Sequence, residues 1–382
     1  MTDSTVSNEP RIDADEILQG IVEWVETESP SHDGVAVNRM VDRVNLDMRA
    51  VNARIERTPG RDGFGDILTA RTPWGGDGPG ILVLSHLDTV HPLGFKDKDN
   101  PIRREGDKVY GPGIYDMKGG AYVAYYALRH LVRCGRETAL PITFMYVPEE
   151  EIGSPTSRKL IEQAALANKY VLVTEPAREG GKIVTARKGV LHFYLTTRGK
   201  PAHAGSRHQD GRSAIREMAR LALEIESFTD YEREITANVG LISGGSGINV
   251  VPAACTAQVD MRAPDMDTAH ELVERMHALR STAPGVTLEV EGGINRPPYE
   301  KDAGISALFE HARKVAAGIG FELEDLKTGG GSDGNFTAAL GVPTLDGLGV
   351  DGYGAHADYE HMYYSSLEQR VKLMLGLFET LK

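Results

Sequence analysis

Cysteine is scarce in this sequence: among 382 residues only Cys134 and Cys255 carry a thiol. Two cysteines this far apart support neither a disulfide framework nor a thiolate metal site. Long apolar runs are also missing, since no stretch approaches the roughly 20 residues that cross a bilayer. The sequence therefore predicts no membrane partner.

Basic segments are absent as well. Acidic residues outnumber basic ones by 55 to 42, and the formal net charge is −13. Without a basic stretch the chain offers no footprint for phosphates, which argues against a nucleic-acid partner. The N-terminus is polar and acidic and lacks the basic and apolar regions of a signal peptide, so we expect a cytoplasmic location.

The residues that are present describe a globular protein with room for two domains. Hydrophobic residues make up 41% of the chain and charged residues 25%, which is typical of folded soluble proteins. Up to about residue 186, strand-like and helical segments alternate, and this alternation predicts an α/β sheet with a parallel portion. The main segments are helices over 11–29, 33–50 and 121–134 and strands over 53–58, 66–71, 81–85, 142–147 and 170–173.

The pattern changes after residue 187. Strands and helices then follow in the order β-α-β-β-α-β, which predicts a ferredoxin-like domain. Its segments lie at 189–197, 212–228, 235–242, 254–261, 268–281 and 286–290. We therefore predict an inserted domain over 188–297 within a first domain of residues 1–187 and 298–382, completed by helices over 303–318 and 366–381.

Charged side chains follow three of the buried apolar strands. His86 follows one strand, Glu149–Glu151 the next and Glu175 a third. A charge at the end of a buried strand costs several kcal/mol unless something compensates it. Divalent metal is one compensation, and active sites of open α/β sheets lie at the carboxyl ends of strands. Together with Asp116 and His356, these residues predict a two-metal hydrolase.

Some of these residues also have an ordinary structural interpretation. An aspartate before a helix, such as Asp116, commonly serves as an N-cap, and glutamates are favoured in the first turn of a helix.

His86 and Asp88 lie two residues apart and project to the same side of a strand end. One of the two side chains could bind metal, while the other orients that ligand through the second ring nitrogen of the imidazole.

The acidic run is more informative than a single carboxylate. A metal ligand cannot easily act as a base because its lone pairs are occupied, whereas adjacent Glu150 and Glu151 permit both functions. Two histidines combined with several carboxylates suit zinc or a similar first-row ion. The set as a whole therefore favours a hydrolytic metal site over separate structural roles.

Four segments carry a resemblance to a known family: Ser85–Val90, Gly111–Gly120, Glu149–Ser154 and Thr328–Asp333. They resemble the co-catalytic zinc aminoacylase/carboxypeptidase metallopeptidase family, in order and over nearly the whole chain. Gly111–Ile114 and Leu348–Asp358 make the resemblance strongest to its bacterial glutamate carboxypeptidases. The resemblance implies a zinc-peptidase-like catalytic domain, with a mixed sheet flanked by helices, and an inserted lid that mediates dimerisation.

The resemblance also implies a role for each candidate residue. Two Zn²⁺ ions, with Co²⁺ or Mn²⁺ as possible substitutes, would be bridged by Asp116. The remaining ligands would be His86 and Glu175 at one ion and Glu151 and His356 at the other. Glu150 would act as the general base, Asp88 would orient His86, and the Asp116–Met117 peptide would be cis.

The inserted domain contains two further motifs of the family. Lys200–Gly205 matches its His-Ala-Gly motif, which implies that His203 reaches the active site of a partner subunit and donates to the developing oxyanion. Without that match, His203 would be an ordinary surface residue in a turn. Asn249 lies in a segment that contacts substrate in the family, and a homodimer is expected.

Basic residues near these motifs indicate an anionic substrate. Arg262 and Arg296 match arginine positions of glutamate carboxypeptidases, and arginine suits bidentate binding of a carboxylate. Arg262 could equally pair with Asp260 or Asp265. Backbone N–H groups of Gly330 and Gly331 could bind the same anion. We expect hydrolysis of an amide next to a free carboxylate, in a small N-acyl amino acid or peptide-like substrate.

Other functions are compatible with the same residues. An N-acyl-amino-acid deacylase of the acetylornithine deacetylase or desuccinylase type would use the same constellation. A non-catalytic metal- or peptide-binding relative would not need Glu150 beside Glu151. Hydrolysis of phosphate esters by two metals is chemically possible, but the order of the motifs disfavours it.

Overall fold

The computed structural model describes residues 10–382, and the chain divides into two compact units. Of the described residues, unit 1 comprises 10–185, Lys301–Leu326 and Ser332–Lys382, and unit 2 comprises Ala186–Glu300 and Lys327–Gly331. The first nine residues, on which the expected cytoplasmic location partly depends, lie outside the described part. Within residues 10–382, no helix is both long and apolar enough to cross a membrane.

The helices are α1 (Ala14–Val25), α2 (Gly34–Ala50), α3 (Phe95–Lys98), α4 (Gly119–Arg133), α5 (Arg158–Leu166), α6 (Ala214–Glu226), α7 (Met266–Ala278), α8 (Ala303–Ile319), α9 (Gly334–Ala339) and α10 (Leu367–Thr380). The strands are β1 (Arg54–Thr58), β2 (Ile67–Arg71), β3 (Ile81–His86), β4 (Arg103–Glu105), β5 (Lys108–Tyr110), β6 (Ile142–Val147), β7 (Tyr170–Val173), β8 (Ile183–Arg187), β9 (Gly189–Arg198), β10 (Thr236–Gly244), β11 (Ala254–Ala263), β12 (Thr287–Arg296), β13 (Asp325–Thr328), β14 (Thr344–Leu345), β15 (Gly352–Tyr353) and β16 (His361–Tyr363).

Unit 1 is built on a six-stranded mixed sheet with the order β1-β2-β6-β3-β7-β14. Strand β3 runs parallel to both of its neighbours, β6 and β7, whereas β2 is antiparallel to β1 and β6. Every residue of β3 and β6 is buried, as expected for parallel strands covered on both faces. The predicted α/β class with a mixed sheet is confirmed.

A second, smaller sheet of unit 1 has the antiparallel order β15-β16-β5-β4. Tyr110, the last residue of β5, lies opposite His361, the first residue of β16. Because the two strands are antiparallel, the segment that leaves β5 and the segment that enters β16 lie at the same end of the sheet. This pairing brings together parts of the chain that are about 250 residues apart in sequence.

Unit 2 contains a four-stranded antiparallel sheet with the order β10-β11-β9-β12. Along the chain the elements follow as β9-α6-β10-β11-α7-β12, which is the β-α-β-β-α-β succession of the split βαβ motif. Alternate residues of β9 and β11 are buried. They form one apolar core with α6 and α7, which includes Phe193, Met218, Leu221, Met261 and Leu272.

The ends of several elements differ from those predicted. The first helix begins at Ala14 rather than residue 11, because the Asp13 side chain accepts hydrogen bonds from the N–H groups of Asp15 and Glu16. Strand β12 runs to Arg296 rather than 290, since its pairing with β9 continues through Gly292 and Gly293.

Candidate metal centre

Three predicted site segments converge at the carboxyl edge of the main sheet. His86 ends β3 and lies in register with Val147, the last residue of β6. Beyond Val147, a short 3₁₀ turn carries Glu150 and Glu151. Glu175 follows β7, whose last residue pairs with Leu84 of β3. Parallel pairing therefore gathers an imidazole and several carboxylates at one edge.

The smaller sheet contributes Asp116 and His356. Asp116 follows β5, and His356 precedes β16, so the antiparallel pairing of these strands carries both residues to the same end. Both lie where the backbone departs from regular structure. His356 has a φ of 65° and Gly354 a φ of 86°, a region that favours glycine and strains other residues.

Asp116 does not cap the helix that follows it. Its backbone is extended, with φ −115° and ψ 94°, and the Asp116–Met117 peptide is cis, as the family resemblance implied. The position before α4 is occupied by Lys118, whose side chain makes no capping hydrogen bond. The N-cap interpretation is therefore wrong, and the carboxylate instead faces two imidazoles.

Each carboxylate oxygen of Asp116 faces a different histidine. Oδ1 lies 3.3 Å from Nε2 of His86, and Oδ2 lies 3.5 Å from Nε2 of His356. His86 Nε2 is also 3.7 Å from Oε1 of Glu175, whereas His356 Nε2 is 2.9 Å from Oε2 of Glu151. The candidate ligand atoms therefore divide into two groups that share Asp116.

The donor set fits metal ions. Ligand atoms of His86, Asp116 and Glu151 lie within 4.8 Å of one another, as do those of His86, Glu150 and Glu175. Oε1 of Glu151 is buried and has no hydrogen-bond partner among residues 10–382. A buried carboxylate oxygen without a donor is costly, and imidazole and carboxylate ligands together suit zinc and similar ions.

Electrostatics in the metal-free protein reflect this crowding of acids. Burial, reinforced by the charge of Asp116, raises the pKa of Glu151 and raises that of Glu175 well above its usual value. Burial would also raise the pKa of Asp116, but hydrogen bonds from His356 and His86 outweigh it and hold that pKa far below its usual range.

The histidines respond in the opposite direction. Hydrogen bonds to Asp116 and Glu151 raise the pKa of His356 to about 11. Burial would lower the pKa of His86, but its hydrogen bonds to Asp116 and Asp88 outweigh burial and raise this pKa well above its usual value. The carboxylates therefore hold protons on both imidazoles when no cation neutralises the cluster.

Asp88 is completely buried and has two functions in the structure. Its backbone carbonyl lies 3.0 Å from Nδ1 of His86, and because a carbonyl only accepts, Nδ1 must donate. In the neutral imidazole this leaves the lone pair on Nε2, which faces Asp116. The Asp88 carboxylate accepts the N–H groups of Glu150 and Glu151, each at 3.2 Å, and the Ser31 hydroxyl at 2.7 Å.

Glu149, the first acid of the run, has a role that sequence reasoning did not assign. Its Oε1 accepts four hydrogen bonds, from the N–H and hydroxyl groups of Thr156 and Ser157, at 2.7–3.0 Å. The side chain is buried and ties the turn that carries Glu150 and Glu151 to the start of the next helix. The sequence signal for this role was the pair of hydroxyl residues, Thr156 and Ser157, that lie seven and eight residues downstream of Glu149.

Two of the predicted residues in unit 2, His203 and Asn249, lie on neighbouring segments of the chain that are hydrogen-bonded to each other. His203 is bridged to Val250, and the N–H of Ala204 donates to the carbonyl of Asn249 at 2.9 Å. Nδ1 of His203 accepts the N–H groups of Gly205 and Ser206 at 3.1 and 3.3 Å. The neutral ring therefore carries its proton on Nε2, where it is available as a donor.

The two predicted arginines differ in their surroundings. Arg262 makes a bidentate pair with Asp260, at 2.8 and 2.9 Å, so Asp260 is the partner rather than Asp265. Arg296 is buried, and a side chain on Gly331 would collide with its Cδ. Gly330 is held by the buried Arg187, whose guanidinium donates to the Gly330 carbonyl at 3.0 Å.

Comparison with known proteins agrees with a hydrolytic metal centre. The model of Peptidase family M20/M25/M40 matches residues 82–380. Carboxypeptidase G2 from Pseudomonas sp. (strain RS-16) is 32% identical over 312 residues, which cover 79% of this chain and 74% of that protein. The chain belongs to this peptidase family, whose members are metal-dependent, and is a hydrolase of C–N bonds.

Two further relatives extend the comparison. Succinyl-diaminopimelate desuccinylase from Acinetobacter baumannii (strain AYE) is 27% identical over 337 residues, covering 83% of this chain and 88% of that protein. The crystal structure of an M20 family metallo-carboxypeptidase from Sulfolobus solfataricus superposes with a TM-score of 0.75 at 19% identity, covering 96% of this chain and 99% of that one. The latter likeness supports the fold.

Proposed function

We propose that this protein is a two-zinc carboxypeptidase that cleaves the amide bond next to a free carboxylate and releases an amino acid such as glutamate. The observation that carries the proposal is the arrangement around Asp116, whose two carboxylate oxygens face His86 and His356 separately. Similarity to Carboxypeptidase G2 over most of both chains supports the same activity.

Two groups of residues would each hold one zinc ion. Asp116 would be common to both, with His86 and Glu175 in one group and Glu151 and His356 in the other. Bound there, the ions would lower the pKa of a water molecule and polarise the scissile carbonyl, and Co²⁺ or Mn²⁺ could replace them.

Glu150 is the proposed general base. A carboxylate oxygen of Glu150 lies within 4.8 Å of ligand atoms of His86 and Glu175, so it can reach a water molecule held between the metal ligands. Glu150 accepts a proton from that water and delivers it to the leaving nitrogen. Asp88 keeps the turn in place by accepting the N–H groups of Glu150 and Glu151.

Unit 2 supplies the groups proposed for substrate recognition. His203 donates from Nε2 to the developing oxyanion of a partner subunit's substrate, which requires a homodimer, and Asn249 lies on the neighbouring segment. Arg296, with the N–H groups of Gly330 and Gly331, binds the free carboxylate. Arg262 is partly neutralised by Asp260 and contributes less charge.

A deacylase is the second candidate. Similarity to succinyl-diaminopimelate desuccinylase covers more of the chain than similarity to Carboxypeptidase G2, although at lower identity. Both activities hydrolyse an amide beside a carboxylate and use the same metal ligands, so the difference lies in the group on the acyl side.

The direct test is metal content measured beside activity on a matched panel. The panel contains peptides with C-terminal glutamate, the same peptides with glutamate amide, and acetyl- and succinyl-amino acids. We expect close to two zinc ions per chain and chelator-sensitive release of glutamate from the free acids but not from the amides. Preferential turnover of the acetyl or succinyl compounds would favour the deacylase, and a metal-free, active enzyme would contradict both functions.

A further inference from the structure

Glu360 is a buried carboxylate outside the predicted site. It lies four residues after His356, on the segment that leads into β16, and is only 1% exposed. A buried carboxylate is unfavourable unless donors surround it. Here most of those donors come from the segment that carries Asp116.

Three of the donors are consecutive or nearly consecutive backbone N–H groups. Gly113 donates to Oε2 at 2.8 Å, and Tyr115 and Asp116 both donate to Oε1 at 2.9 Å. The fourth contact is Nε2 of the buried His91, 3.0 Å from Oε2. Glu360 therefore binds the backbone on which Asp116 is mounted, including the N–H of Asp116 itself.

The backbone of Glu360 is held by the same region of the chain. Its carbonyl accepts the side-chain amide of Asn100 at 3.0 Å and the N–H of Gly111 at 3.3 Å. The N–H of Glu360 donates to the carbonyl of Ala357, and the N–H of Ala357 donates to the carbonyl of Gly354. Glu360 therefore closes the turn that directly follows His356, and His356 itself lies in the preceding turn. One residue thus joins the Asp116 segment to the His356 segment.

We propose that Glu360 is a positioning residue for the metal centre: it fixes the spacing between Asp116 and His356 by binding the backbone of the first and closing the turn that directly follows the second. The inference rests on the proposed metal-binding function. Glu360 lies behind Asp116, at its main chain, and acts through that residue. Outer partners of metal ligands typically change metal affinity or activity by about 10–100-fold when they are removed.

Glu360→Gln tests this role with little change in size. A glutamine side chain has one oxygen and one NH₂ group, so at least one backbone N–H of the turn must face another donor. We expect zinc affinity, measured by competition with a chromogenic chelator, to fall by about 10–100-fold. At saturating zinc, kcat should fall more than KM rises. Whichever of the Gly113, Tyr115 and Asp116 amides face the new NH₂ group should exchange faster in the metal-free enzyme.

A matched control separates positioning from general loss of a buried acceptor. Glu28 also accepts two backbone N–H groups, those of Gly94 and Lys96, at 2.8 and 3.1 Å. Glu28→Gln should leave zinc affinity and the exchange of the Asp116 amide within about twofold of wild type, because Asp116 keeps all of its contacts.

His91→Gln provides a second variant if Glu360→Gln fails to fold. It retains the three backbone hydrogen bonds and removes only the imidazole, so a loss of zinc affinity of several-fold is expected. If wild type binds zinc and both variants bind it equally well, the positioning role is wrong and the proposed function stands. If wild type binds no zinc, the proposed function fails and the positioning role fails with it.

Discussion

At the scale of single residues, the candidate metal centre is a set of acidic and basic side chains whose charges only partly compensate one another. The imidazoles of His86 and His356 hold protons because Asp116 lies between them. Glu151 and Glu175 resist ionisation because they are buried next to the same carboxylate. A cation at this position would relieve both effects, since it attracts the carboxylates and displaces the protons.

Metal uptake should therefore release protons. The pKa of His356 is raised to about 11 and that of His86 is also raised, so both rings are protonated at neutral pH in the metal-free protein. Metal binds only the neutral ring. We expect apparent zinc affinity to weaken as pH falls, by about tenfold per pH unit for each proton displaced.

Isothermal titration of the metal-free enzyme in two buffers of different ionisation enthalpy measures this release. The observed heat should differ between buffers in proportion to the protons displaced. Equal heats in both buffers would mean that the imidazoles are already neutral, and the electrostatic description of the site would be wrong.

At the scale of elements, the site depends on a close approach between α4 and the segment after β7. A Cβ atom on Gly120, in the first turn of α4, would lie 2.0 Å from the carbonyl oxygen of Thr174 and 2.8 Å from Cα of Gly349. Glycine is required here because any side chain would push away the residue that precedes Glu175. The packing of α4 and the position of the candidate ligand Glu175 are therefore linked.

Gly120→Ala should destabilise the fold by roughly 1–3 kcal/mol, because backbone atoms rather than a flexible side chain must move. Gly318→Ala is the matched control, since Gly318 also lies within a helix and its added Cβ would meet no atom within 4 Å. That change should stabilise by about 0.5–1 kcal/mol. Urea unfolding of both variants measures the difference, and equal effects would contradict the close-packing argument.

Elements were predictable from sequence where one local pattern decided them. His86 and Glu175 could be found because each follows an apolar run that is buried in the sheet. The convergence of Asp116 with His356 could not be derived from pattern, since it depends on pairing between the short strands β5 and β16. Family resemblance supplied that convergence.

Sequence analysis missed Glu360 because its contacts are distant along the chain. Glu360 holds three backbone N–H groups that lie 244 to 247 residues away along the chain, and no local periodicity reports such a contact. Element ends shifted by a few residues for local reasons, such as the Asp13 cap of α1. Side-chain roles that depend on tertiary contacts therefore needed the structure.

At the scale of the whole molecule, the proposed chemistry draws on both units. The proposed general base Glu150 belongs to unit 1 and the proposed oxyanion donor His203 to unit 2. If His203 acts on the partner subunit, as the family resemblance implies, each active site of the homodimer combines Glu150 of one protomer with His203 of the other. This arrangement predicts complementation between two inactive variants.

Mixing Glu150→Gln with His203→Ala should restore activity after subunit exchange. In the mixed dimer, one site pairs the intact Glu150 of the second variant with the intact His203 of the first, whereas the other site lacks both. We expect a statistical mixture to recover about a quarter of wild-type activity, on the assumption of free exchange and independent sites. No recovery, with exchange verified by native mass spectrometry, would place His203 in its own subunit's site.

The two-metal mechanism with Glu150 as base is tested most directly by the turnover of Glu150→Gln at matched zinc occupancy. Metal content and release of glutamate from a C-terminal glutamyl peptide are measured on the same sample as wild type. We expect full zinc occupancy with turnover reduced by about 10²–10⁴-fold, because the proposed ligands are intact and only the base is lost. Wild-type turnover in the variant would contradict the proposed role of Glu150.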